Sequence, residues 1–212
     1  MNTMADRRSR PAAAVLTVLL LAAAACMDGE SSAGSTATCS GKRTPYSRGD
    51  KPTRTPGPYF DPGSPRRRDL LEPGMAGVRL TLRGHVYDDE CAPVAHALLD
   101  FFQADSRGRY DRREVRLHGH QFTDARGLYL LRTIVPNHYL KRPPHIHVRV
   151  QAANGPVLTT ELYFPARLRA YGMNVGKLNR QSRSYKRALT VHLGPRRGNA
   201  YRASFDFVIA VK

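Results

Sequence analysis

From Val78 to the C-terminus the chain is cut into short apolar or alternating runs by clusters of turn-forming residues, and this segmentation leaves few architectures open. The runs are Val78 to Tyr87, Ala97 to Gln103, Leu128 to Ile134, His145 to Ala152, Val157 to Phe164, Leu189 to Leu193 and Ser204 to Val211. Between them lie Asp88 to Pro93, Asp105 to Gly108, Asp124 to Gly127 and Asn154 to Pro156. A surface helix needs apolar residues at three- and four-residue spacing over roughly ten residues or more, and no run shows that stripe. Short strands at this spacing predict a mainly β chain, an antiparallel β-sandwich with long loops. Pro165 to Arg187 is basic and aperiodic and reads as a long loop or short helix leading to the last strands. Gly41 to Gly74, rich in Pro, Gly, Arg and Asp, reads as an extended arm or loop.

The 212 residues suit one domain and a leader, with 41% hydrophobic residues, 7 Phe and 10 Tyr to build a core. Residues 1–26 read as a signal peptide: Arg7, Arg8 and Arg10 precede an apolar run from Ala12 to Ala25 that is too short for a comfortable membrane span. Small residues directly before Cys26 resemble a lipoprotein cleavage site, which would lipidate Cys26 and tether the mature chain to a membrane. Ala23 stands where leucine is usual, so ordinary signal-peptidase cleavage stays open, and Arg7-Arg8 points to twin-arginine export. Residues 27–54 follow as a flexible tether and N-terminal arm, and 55–212 as the sandwich domain. The chain is therefore expected to be exported, as a cell-envelope lipoprotein or a secreted protein. An oxidising compartment favours pairing the other two cysteines, Cys39 and Cys91; two separate thiols are the alternative.

A formal charge of +17 suggests nucleic acid first. No zinc finger, helix-turn-helix or ribonucleoprotein signature accompanies it, so no specific nucleic acid is expected. The scattered arginines read better as a solvated surface that attracts anionic polymers or aromatic acids.

The sharpest local feature is Arg142-Pro143-Pro144-His145-Ile146-His147. Residues two apart in a strand share a face, so His145 and His147 project together while Ile146, Val148 and Val150 pack behind them. Tyr139 lies just upstream, and Tyr110 is a second candidate tyrosine. Imidazoles suit several metals, and a phenolate oxygen favours a hard trivalent ion such as Fe(III). His-x-His alone more often needs no metal, and a tyrosine is more often core or surface than ligand.

The order of motifs is more specific. Gly84-His85-Val86, Ala92-Pro93-Val94, Ala97 to Asp105, Gly108-Arg109-Tyr110, Phe122-Thr123-Asp124, Gly127-Leu128-Tyr129, Thr133 to Pro136, Tyr139, Arg142 to His147 and Leu158 to Phe164 together resemble the intradiol ring-cleavage dioxygenases. Thr55 to Phe60 and Ala203 to Phe207 are similar to the family's Gly-Pro-Tyr segment and closing strand. The resemblance implies that Tyr110, Tyr139, His145 and His147 hold a non-haem Fe(III), that the substrates are a catechol-type aromatic and O2, and that the ring opens to a cis,cis-muconate. It further implies that Tyr139 is displaced by substrate and accepts a proton, that Arg142 stabilises charge on the ring, and that Tyr59 lies near the substrate. A homo-oligomer is compatible with it. Three departures stand out. Cys91 replaces a small residue, in agreement with a Cys39–Cys91 bridge. Phe102 replaces a common Trp, and Glu161 a frequent Gln beside the substrate pocket, where it could repel an anionic substrate or bond Arg142. Glu161 also favours the rival reading, a secreted β-sandwich binding module that has lost catalysis. His118 and His120 read as solvent-facing histidines of a loop near the site mouth.

Overall fold

The computed structural model describes residues 39–46, 63–111 and 115–212. The leader with Cys26, most of the tether, and Tyr59 in its Gly-Pro-Tyr segment lie outside the described residues. Among the described residues nine strands and one α-helix form: β1 (Arg79–Tyr87), β2 (Leu98–Gln103), β3 (His118–Phe122), β4 (Leu128–Ile134), β5 (His145–Gln151), β6 (Leu158–Tyr163), α1 (Val175–Gln181), β7 (His192–Leu193), β8 (Ala200–Ser204) and β9 (Phe207–Val208). They make the expected sandwich. One sheet runs β3-β2-β5-β6, antiparallel throughout; the other runs β4-β1-β8-β7, with β9 beside the end of β1. Pairing of β1 with β8 and β9 is parallel. That arrangement needs a long crossover, which the chain between these strands supplies.

Strand alternation explains the core. Leu80, Leu82 and Val86 of β1 face Leu99 and Phe101 of β2 and Ile146, Val148 and Val150 of β5 in one cluster, none more than 1% exposed. Burying a side chain of this kind contributes about 1.5–3 kcal/mol. Gly84 interrupts the row of β1 because a Cβ there would sit 1.8 Å from the carbonyl oxygen of Phe205, where the chain crosses from β8 to β9.

Two stretches differ from the sequence reading. His118 to Phe122 forms β3 rather than a loop: His-Gly-His-Gln-Phe has weak strand propensity, and its pairing with β2 supplies what propensity does not. The last strands fall at Ala200–Ser204 and Phe207–Val208, because Phe205 and Asp206 make the crossing and Asp206 Oδ1 accepts the backbone N–H of His85 at 2.7 Å.

Residues 65–70 strap the sandwich along its open side. Arg67 N–H donates to His120 O on the edge strand β3, and Leu70 N–H to Arg132 O on the edge strand β4, at 2.9 and 2.8 Å. Both edges are thereby covered. The segment 39–46 is a second strap and belongs to the same compact unit as the sheets, Ala37–Lys212. A disulfide joins Cys39 to Cys91, Thr44 N–H donates to Val208 O at 2.9 Å, and Pro45 O accepts from Thr160 Oγ1 at 2.9 Å. This part of the arm is thus held against the fold rather than free.

Candidate metal centre

Strand register places a row of side chains across the outer face of the β3-β2-β5-β6 sheet. His118 is opposite Phe102, Phe102 opposite His147, and His147 opposite Glu161. Cross-strand partners share a face, so the order of four short strands determines the neighbours of His147. The Phe102 ring lies flat on the imidazole of His147, with centroids 4.3 Å apart and planes 3° apart. Ile146, between the two histidines, is fully buried on the opposite face.

Three donor atoms meet above this row. Tyr110 Oη lies 3.1 Å from His145 Nε2 and 3.1 Å from His147 Nε2, and the two Nε2 atoms are 3.2 Å apart. The other nitrogens assign the tautomers. His145 Nδ1 is 2.7 Å from the carbonyl oxygen of Pro143, which can only accept, so Nδ1 carries the proton. His147 Nδ1 faces Glu161 Oε1 at 3.5 Å, a placement that favours the proton on Nδ1. Each Nε2 is then a lone pair, and the two lone pairs point into the same small space with a phenol oxygen. A cation about 2 Å from each atom would satisfy all three, since neighbouring ligands on such an ion stand roughly 3 Å apart. Two imidazoles and phenol oxygen are also the mixed donor set that suits ferric iron.

The tyrosines come from two loops that are locked together. Asp105 Oδ1 accepts the backbone N–H groups of Arg107 and Arg109, folding the turn that presents Tyr110. Gly108 at its tip has φ +75°, and a Cβ there would be 2.2 Å from His138 O. Asn137 closes the joint: its N–H donates to Asp105 O at 3.0 Å, and its Nδ2 to Ser106 O at 2.9 Å. The next loop residue but one is Tyr139, whose ring stands edge-on to that of Tyr110 at 5.3 Å. A turn from Tyr139 to Arg142, closed by Arg142 N–H to Tyr139 O at 2.9 Å, leads into β5. Tyr110, Tyr139, His145 and His147 therefore gather at one corner of the molecule.

Glu161 is 2% exposed and sits behind His147. Its Oε2 accepts from Arg142 at 2.5 Å and from Tyr163 Oη at 2.5 Å, while Oε1 faces His147 Nδ1. Burial pushes the carboxyl pKa up, but the neighbouring His145 and His147 and the bonded Arg142 outweigh burial and bring it to about 2. Tyr163 is driven the other way, up, by burial and then by the charge of Glu161. The carboxylate forms with His145 and His147 a cluster that could itself hold a metal. The ring geometry favours the other assignment: Glu161 addresses Nδ1 of His147, whereas the lone pair shared with Tyr110 and His145 is on Nε2. A carboxylate behind a ligating histidine fixes its tautomer and raises its basicity.

The remaining residues fall into place around this core. His118 is buried and not solvent-facing, as it lies inside β3 with Nε2 3.1 Å from Asp100 Oδ1 and its ring 5.5 Å from that of Phe102. His120 is half-buried, with Nδ1 2.9 Å from Ser64 O. Sequence reasoning missed Tyr163 and Ser184, which share in holding Glu161 and Arg142. Only the strand alternation that puts Tyr163 on the face of Glu161 could have signalled the first. A cleft of about 510 Å³ has Tyr110 in its wall, with Gln103, Arg107 and Arg109, but not Tyr139, His145 or His147.

The dioxygenase family profile matches residues 55–142. Over 142 residues the chain is 29% identical to chlorocatechol 1,2-dioxygenase of Pseudomonas sp. (strain P51), a match that covers 55% of this chain and 56% of that protein. It is 34% identical over 107 residues to the protocatechuate 3,4-dioxygenase beta chain of Burkholderia cepacia, covering 42% and 46%. The chain spans about half the length of the curated relatives it matches. Among solved structures, the dioxygenase domain of a dioxygenase carbohydrate-binding protein fusion from the cellulolytic bacterium Streptomyces sp. SirexAA-E is 42% identical. It superposes with a TM-score of 0.67 over 76% of this chain and 98% of that one. The 3-chlorocatechol 1,2-dioxygenase of Rhodococcus opacus 1CP is 28% identical, with a TM-score of 0.60 over 73% and 70%.

Proposed function

The chain belongs to the intradiol ring-cleavage dioxygenase family, and from that premise we propose that it opens a catechol-type ring between its two hydroxyl-bearing carbons. Both atoms of O2 enter the product, a cis,cis-muconate, and Tyr110, Tyr139, His145 and His147 hold a non-haem Fe(III). The observation that carries the reading is the convergence of two imidazole lone pairs and a phenol oxygen within 3.2 Å of one another.

When bound, ferric iron supplies the Lewis acidity that holds a catecholate and makes its ring reactive towards O2. The protein's own groups do the rest. A tyrosinate oxygen is both a hard donor and a base, so Tyr139 Oη takes a catechol proton as the substrate enters. Glu161 keeps His147 in the tautomer that offers Nε2, and Phe102 fixes the plane of that ring and shields one face from water. Arg142, three residues before His145, is proposed to lie against the substrate ring and orient it through its N–H groups, with its positive charge already paired to Glu161. Tyr59 is proposed to contact the substrate. Export by lipidation at Cys26 or by ordinary cleavage completes the proposal, and the mass of the mature N-terminus separates the two routes.

The rival binding module drew its support from Glu161, and that carboxylate sits behind His147 on the Nδ1 side, away from the donor triangle. Reconstitution with iron tests the choice. The loaded protein is expected to show visible tyrosinate-to-Fe(III) charge-transfer absorption, weakened by Tyr110→Phe or Tyr139→Phe, and to consume O2 with catechol. A colourless protein with no O2 uptake after reconstitution would falsify the enzyme reading.

A further inference from the structure

Surface and site differ in charge balance. The chain as a whole is strongly basic, +17, and draws anions from a distance. Beside the donor triangle the cation is cancelled. Arg142 donates to Glu161 Oε2 at 2.5 Å, and the carboxylate is 2% exposed, against 26% for the arginine side chain. Glu161 is not free to turn away: Tyr163 Oη donates to the same oxygen, and the other oxygen faces His147. Ser184 Oγ lies 3.5 Å from the same Arg142 nitrogen and holds the guanidinium from a second side. An acidic substituent on a ring bound here would lose hydration without meeting an uncompensated positive charge, and would meet the negative charge of Glu161 instead. A ring without such a substituent meets neither penalty.

We propose that Glu161 is the specificity-determining residue of this site, and that by neutralising Arg142 it selects catechols that carry no acidic ring substituent. The inference rests on the functional reading above. It sets the site against the surface: the basic exterior gathers aromatic acids, and the pocket prefers neutral rings.

Phenol and 4-hydroxybenzoate probe it directly, since each has one hydroxyl and neither is a ring-cleavage substrate. Their binding to iron-loaded protein is read as a change in the visible absorption band, giving a ratio of dissociation constants. Wild-type protein is expected to bind phenol at least as tightly as 4-hydroxybenzoate. Glu161→Gln keeps the shape and removes the negative charge, and should move the ratio about tenfold towards 4-hydroxybenzoate, the order of effect of one unit charge several ångströms away at protein-like dielectric. Replacing Arg142 and Glu161 together by Gln removes both charges and should restore the wild-type ratio. A purely structural role for Glu161 would weaken both ligands equally. An iron-loaded wild type that prefers 4-hydroxybenzoate, a Glu161→Gln ratio equal to wild type, or a double variant that departs from the wild-type ratio each overturns the proposal alone. Wild-type protein that acquires no band overturns the functional reading, and this one with it.

Discussion

Glu161 shows how much one side chain can carry when strand register surrounds it. From the sequence it is a carboxylate where a glutamine is frequent, and its effect could be read as repulsion or as pairing with Arg142. The difference lies in neighbours that come from β5 and from the loop at Ser184, and no local pattern reveals them. Its carboxyl pKa lies near 2, below the ordinary 4.5. A group whose folded pKa is depressed contributes stability that is full above its unfolded value and disappears as pH falls through the folded one. Glu161 therefore stabilises the protein fully above about pH 4.5 and progressively less towards about pH 2. At neutral pH, Glu161→Gln should cost roughly 1.5–3 kcal/mol, the usual worth of hydrogen bonds to a charged group. Unfolding of both proteins followed from pH 7 to pH 3 should show the gap narrowing in acid. A gap that stays constant or widens would mean that the charge of Glu161 is not what stabilises.

At the scale of elements, the two histidines were legible and the two tyrosines were not. His145 and His147 announce themselves through the period of β5, because alternation is a local property and Ile146, Val148 and Val150 complete it. Tyr110 and Tyr139 sit on loops without a period, and only the order of family motifs singled them out. β3 stayed hidden for a related reason: its residues favour no strand, and the pairing that makes them one comes from β2 and from the strap at residues 65–70. The joint between the tyrosine loops is the element most open to test. Gly108 combines φ +75° with a backbone approach that leaves no room for a methyl group. Gly108→Ala should cost at least ~1–3 kcal/mol from backbone strain alone and should push the Tyr110 turn away from His138. Thermal unfolding measures the first effect and iron titration the second. If the substituted protein binds iron as tightly as wild type, the two loops are not what sets the distance between tyrosine and histidine donors.

For the whole molecule, the question is what the arm from Cys39 to Tyr46 does for a sandwich that already has its core. Its anchors include the disulfide to Cys91, Thr44 on β9, Pro45 on Thr160 of β6, and the carbonyl of Tyr46, which accepts from Lys186 Nζ at 2.7 Å. Lys186 is two residues from Ser184, so the arm reaches towards the support of Arg142 but supplies none of the four proposed donors. The expected division is stability from the arm and metal binding from the sheet and loops. The bridge closes a loop with a sequence separation of 52, for which chain-entropy reasoning gives about 4 kcal/mol. In a protein of this size each kcal/mol shifts the melting temperature by about 2–4 °C. Substituting Cys39 and Cys91 together by Ser should therefore lower the Tm by roughly 8–16 °C if the full entropic value is realised. Below that lowered Tm, the iron-loaded variant should keep its charge-transfer band at wild-type position and intensity, because Tyr110, Tyr139, His145 and His147 are all positioned by other contacts. A band that fades while the protein is still folded would show that the arm holds the centre as well as the fold.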